Sequence, residues 1–214
     1  MADNYLEKKF EEFNSNKSCN LKSKKVSNKL CIDSLLLKNR SSRGYDSSYI
    51  VSKEELKDII SVNTKIPSAK NQQVLRFKIV TKEEAEKVVK NIKLGGMLPE
   101  LNLPFKGTDP NAFIIVCSTI AENKWVDIDL GISAQSMLLK AVDMGLNGVC
   151  IGAFNKEVIR QEFDLEFEPV LILAIGKNIE KIQIVPLAEE GNYKYFRKEG
   201  VHFVPKLRVE DIIL

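Results

Sequence analysis

The chain has 214 residues, of which 44% are apolar and 29% charged, and a formal net charge of +3; this suits one globular domain, or a domain with an arm, and is too weakly basic to imply a nucleic-acid partner. Its longest apolar runs, such as 113–117 and 170–175, fall far short of the ~18–20 residues of a membrane span, and the opening MADNYLEKKFEEF has acids among its bases and lacks the apolar stretch of a secretory leader. The four cysteines (Cys19, Cys31, Cys117, Cys150) form no CxxC pair, which argues against a zinc ribbon or a disulfide scaffold and for a reducing, cytoplasmic setting.

In chain order, Leu6, Phe10 and Phe13 share one face of a short helix over 4–13. Residues 14–30 carry five lysines and no acid among many Asn and Ser. Without interleaved aromatics or arginines, this tract reads as a solvated linker rather than a nucleic-acid or lipid contact. A helix follows over 30–38, with Asp33 or Ser34 near its start. Ser52 and Glu55 form a capping box opening a second helix, and Thr81 and Glu84 another, opening a helix to about Lys93. Between them 74–80 reads as a strand, and 95–110, rich in Gly and Pro, as a loop. The unbroken apolar run 112–117 predicts a strand buried on both faces. The longest helix, capped by Asp127 or Asp129, runs to about Met144 and stops at Gly145. Its apolar positions wrap widely, which places it centrally. Asn155 caps a helix to about Phe163, and 169–175 is a second buried strand. Residues 193–197 and 201–204 form a hairpin. Strands and helices mix without a regular βαβ period, so the expected class is α+β.

The single histidine, His202, excludes HExxH zinc chemistry, and its place in the alternating VHFVP predicts a solvent-facing strand residue. There is no GxxxxGK[ST] and no GxGxxG loop. Four other segments could carry chemistry. Asn39, Arg40, Ser41, Ser42 and Arg43 gather guanidinium forks and hydroxyls suited to a phosphate or a polyhydroxylated ligand, or to a solvated helix end. In Pro67, Ser68, Ala69, Asn71 and Gln73, a rigid proline and small side chains admit a flat ligand, and the amides suit a heterocycle; an ordinary turn would look the same. The connection through Gly148, Ile151, Gly152 and Ala153 ends at a predicted helix start, where backbone N–H groups can face a ligand. Lys206 and Arg208 alternate in an extended segment and could clamp an anion.

Taken in order, these four segments resemble the FMN-dependent nitroreductase family. Its RRSxRxF segment corresponds to 39–45 here, PSxxNxQ to 67–73, a central helix ending in GLG and then IGxF to 137–154, and a closing KxR to 206–208. The resemblance covers 32–214 and leaves 1–31 as an N-terminal helix and basic arm. It implies a mainly antiparallel sheet flanked by helices, built as an intertwined homodimer with FMN at the interface. Arg40, Ser41, Arg43, Lys206 and Arg208, with Asn39 beside them, would hold phosphate and ribityl. Pro67, Ser68, Ala69, Asn71 and Gln73 would come from the other subunit to the ring edge. Ile151, Gly152 and Ala153 would lie beside the ring.

The implied activity is ping-pong transfer from NAD(P)H through tightly bound, non-covalent FMN to an electron-poor small molecule such as a nitroaromatic or quinone. Neither a metal nor a catalytic side chain is required, because the cofactor carries the chemistry. Neither nucleic acid nor membrane is an expected partner. An enone or flavin reductase of the same fold, or a non-catalytic flavin-binding protein, would carry the same motifs. Three departures stand out: Asn39 in place of a first Arg, Val74-Leu75 in place of Pro-Trp, and the extension 1–31.

Overall fold

Leu75–Val80 (β1), Ala112–Ser118 (β2), Asn147–Ile151 (β3) and Glu168–Gly176 (β4) form one sheet in the order β1-β2-β4-β3, with every neighbour antiparallel. The computed structural model describes residues 31–214 apart from 97, 99, 100, 102 and 188–190. The expected helix over 4–13 and the basic tract after it lie outside the described residues.

β2 is buried at every position. Successive side chains point to opposite faces, so the run builds two cores at once. Ala112, Ile114 and Val116 pack with Leu173 and Ile175 of β4 and with Leu56, Ile59, Met137 and Ala141. Phe113 and Ile115 pack with Ile172 and Ala174 of β4 and with Val80, Val88 and Ile159. Helices thus cover both faces of an antiparallel sheet, the α+β arrangement expected. No helix among the described residues is long and apolar enough to cross a membrane.

The α-helices among the described residues are Ile32–Lys38 (α1), Lys53–Ile60 (α2), Lys82–Val89 (α3), Lys124–Asp143 (α4) and Lys156–Glu162 (α5). The Ser52–Glu55 capping box at α2 is complete in both directions, and Asn155 caps α5 by accepting from Val158 N–H. Two expectations need correction. Thr81 occupies the N-cap of α3, but its hydroxyl donates to Glu83 instead of closing a box with Glu84, and the helix ends at Val89. α4 starts earlier than expected and is capped by Asn123, whose side chain accepts from Trp125 and Val126 N–H. Asp129 therefore lies inside the helix rather than at its start. The helix stops where Gly145 takes a φ of +79°, a left-handed conformation natural to glycine.

A second sheet, from Lys181–Pro186 (β5), Phe196–Lys198 (β6) and Val201–Lys206 (β7), has the order β5-β7-β6, with β5 parallel and β6 antiparallel to β7. The β6–β7 hairpin was expected, and Glu199 and Gly200 both take positive φ at its turn. β5, whose alternation in KIQI runs over only four residues, was not.

Candidate functional site

The loop leaving α1 is strapped along the edge strand β3. Asn147 donates to Lys38 carbonyl oxygen at 2.8 Å and accepts from Arg40 N–H at 3.3 Å, and Ser42 N–H reaches Gly148 carbonyl oxygen at 3.2 Å. A Cβ on Gly148 would sit 2.4 Å from the Ala174 carbonyl oxygen, so only glycine fits this strand position. Buried Tyr45 donates its hydroxyl to Ser42 carbonyl oxygen at 2.7 Å, and burial pushes its pKa up, keeping it a neutral donor. The far side is held by Glu180, which accepts from Arg43 N–H at 2.5 Å and pairs with the Arg197 guanidinium.

These contacts shape a cavity of about 360 Å³ lined by Asn39, Arg40, Ser41, Arg43, His202 and Lys206, among others. Among the described residues lining it there is no Asp or Glu. Arg43 lies over the Tyr195 ring, 5.2 Å from its centroid. Arg40 Nε and His202 Nδ1 are buried without a hydrogen-bond partner among the described residues. His202 is 2% exposed, which corrects the expected solvent-facing position. His202, Val204 and Lys206 alternate along β7 onto the one face that lines the cavity, so that face is turned inward. Burial, then Arg197 and Arg43, hold the imidazole pKa below its ordinary value, with Glu180 opposing them.

Arg208 is not brought into this cavity. β7 ends at Lys206, and Arg208, still extended, is the N-cap of the 3-10 turn Val209–Asp211. Arg208 instead pairs with Asp211, Nε to Oδ2 at 3.1 Å.

Pro67, Ser68 and Gln73 line a different cavity, of about 520 Å³, with Phe77, Asp129 and Ser133. The backbone here is a 3-10 turn, Ala69–Asn71, in which Lys70, Asn71 and then Gln73 all take positive φ, between 47° and 54°. Asp129 of α4 accepts from Ala69 N–H at 2.8 Å and from Gln72 Nε2 at 3.2 Å. Gln73 Nε2 donates to Asn71 Oδ1 at 3.1 Å. The two cavities share no lining residue, so a single chain does not unite the first and second groups of candidates. Ile151 is buried at the end of β3, whereas Gly152 and Ala153 are exposed, and Ala153 carbonyl oxygen accepts from Lys93 N–H at 2.9 Å. None of these three lines either cavity. Sequence reasoning passed over the roles of Asn147 and Glu180, and read Asp129 as a helix cap rather than as the acceptor for the 69–72 turn. The polar residue opening the apolar segment NGVCI was the one local sign of the first.

The profile of the nitroreductase family matches residues 36–177. The chain belongs to the nitroreductase family. Within it, YodC of Bacillus subtilis (strain 168), provisionally named an NAD(P)H nitroreductase, is 24% identical over 179 residues, spanning 68% of this chain and 89% of that protein. The crystal structure of a nitroreductase family protein from Clostridium difficile 630 aligns with a TM-score of 0.56 at 27% identity, over 71% of this chain and 86% of the other. A provisionally named nitroreductase from Exiguobacterium sibiricum 255-15, crystallised in complex with FMN, aligns with a TM-score of 0.58 at 22% identity, over 72% and 91% of the two chains.

Proposed function

We propose that this nitroreductase family member is an FMN-dependent oxidoreductase that passes electrons from NAD(P)H to an electron-poor small molecule by a ping-pong mechanism. The observation that carries the reading is the acid-free basic cavity. Arg40, Arg43 and Lys206 come from opposite ends of the chain to line one space with the Ser41 hydroxyl. A phosphate dianion is the chemistry that such a set of donors suits. Arg40 Nε, buried and unpartnered, is the further sign that an acceptor belongs there.

FMN, when bound, supplies the capacity to take a hydride from NAD(P)H and deliver it to an acceptor. The chain supplies binding and orientation. Arg40, Arg43 and Lys206 neutralise the phosphate end, with Asn39 and Ser41 donating beside them. Pro67, Ser68, Ala69, Asn71 and Gln73 of a second copy present amides and small side chains to the ring, because within one chain Pro67, Ser68 and Gln73 line a separate cavity. We assign Ile151, Gly152 and Ala153 to the ring side as well. Residues 32–214 form the flavin domain in this reading, and 1–31 an arm outside it. Arg208, which pairs with Asp211 outside the cavity lining, takes no part in this set.

The test is uptake of FMN by purified protein, followed by the visible flavin bands and their bleaching by NADH or NADPH. Lys206→Ala should weaken FMN binding by about tenfold or more, the worth of one charge-assisted hydrogen bond. Arg208→Ala should change it by less than about threefold, because that guanidinium lies outside the cavity lining and pairs with Asp211. Protein that neither contains nor takes up flavin would overturn the proposal.

A further inference from the structure

We propose that Asp129 is a positioning residue for the flavin ring: its buried carboxylate sets the conformation of residues 69–73, the segment that presents Asn71 and Gln73. The inference rests on the FMN reading and goes beyond it by assigning a residue outside every motif that pointed to the cofactor.

Asp129 lies well inside α4, is 4% exposed, and lines the larger cavity beside Ser68 and Gln73. Aspartate is a poor helix-interior residue, and burying its charge is costly unless both oxygens are satisfied. It does not cap α4, which Asn123 does. It enters no ion pair among the described residues. Both of its oxygens are spent on the turn instead: Oδ1 on the Ala69 N–H and Oδ2 on the Gln72 amide.

The turn requires such a hold. Lys70, Asn71 and Gln73 are three non-glycine residues in left-handed conformations within four positions. L-residues pay for that backbone, and it persists only where the surroundings over-determine it. The contacts inside the turn are local: Gln73 N–H to Ser68 Oγ at 3.3 Å, and Gln73 Nε2 to Asn71. Arg76 Nη1 donates to Gln73 carbonyl oxygen at 2.9 Å from three positions on; Asp129 is the distant anchor among the described residues, and it grips residues on both sides of Lys70 and Asn71. Losing it frees the turn to relax toward ordinary φ, which swings the Asn71 and Gln73 side chains away from a shared direction.

The experiment compares wild type with Asp129→Leu, which removes both acceptors at similar volume, and Asp129→Asn, which keeps one oxygen for Ala69 N–H. In protein without added flavin, amide hydrogen exchange at 69–73 should rise at least about tenfold in Asp129→Leu while β2 and β4 keep their protection. Asp129→Asn should stay within about threefold of wild type at those amides. With FMN, Asp129→Leu should bind about tenfold or more weakly and shift the flavin bands and midpoint potential, whereas Asp129→Asn should restore both. Unchanged exchange at 69–73 in a folded Asp129→Leu protein would overturn the inference, as would a loss of thermal stability with unaltered flavin affinity and potential. Wild-type protein that binds no FMN would instead sink the cofactor reading, and the exchange measurement would still report whether Asp129 holds the turn.

Discussion

His202 couples the buried edge of the basic cavity to pH. Its imidazole is held below the ordinary value of 6.5 by burial and by Arg197 and Arg43, with Glu180 pulling the other way and Tyr195 packed on the ring at 4.9 Å between centroids. The unfolded chain therefore binds a proton in a range where the folded chain does not. The stabilising contribution is complete above about pH 6.5 and is lost as pH falls through the lower folded value. Urea midpoints measured between about pH 7.5 and 5 should fall more steeply for wild type than for His202→Asn. Parallel slopes would show that the imidazole titrates alike in both states. Glu180 illustrates the other use of a buried charge. It ties β5 to the Arg43 loop and to Arg197, so that cations from both ends of the chain face one space. Nothing in the local sequence around Glu180 or His202 distinguishes them from surface residues of short strands, because their burial follows from which strand pairs with which.

At the scale of elements, local chemistry was legible where side chains act on their own backbone. The Ser52–Glu55 box, the Asn155 cap and the Gly145 stop formed where expected, and the unbroken apolar run of β2 became the central strand. Elements were misjudged where two local solutions compete. Thr81 can bond Glu84 N–H or the Glu83 carboxylate, and it takes the nearer. Asn123 and Asp127 are both able caps, and the structure uses the first, with Asp127 in the opening turn. Asn123→Ala should therefore cost about 1 kcal/mol of stability, and Asp127→Ala only a few tenths through the helix dipole. Thermal or urea unfolding of the two variants decides the order, and a larger loss for Asp127→Ala would move the helix start. β5 escaped notice because its alternation, in KIQI, runs over only four residues and its partner β7 lies about twenty positions on.

Among the described residues, apolar surface is left exposed. α1 has no buried residue, and Leu37 is 65% exposed. Beyond β7, Val209, Ile212 and Ile213 are exposed as well, Ile213 by 69%. Exposed apolar side chains of this number suit an interface, and the two half-sites of the proposed flavin centre open on separate cavities. We propose that a second copy of the chain covers this surface and completes the site, with an interface in the obligate class of about 2,000 Å² or more. Sedimentation at micromolar concentration should give a dimer carrying flavin, and a flavin-loaded monomer would count against it. The sequence by itself determined the α+β class, the central strands, most helix ends and the motifs of the family, since periodicity, caps and glycine stops act over a few residues. Only the tertiary structure decided that His202 is buried, that Arg208 turns away to Asp211, that Asp129 holds a turn sixty positions earlier, and that the two motif groups part company within one chain. Those outcomes depend on strand order and on contacts between distant segments, which no local pattern encodes.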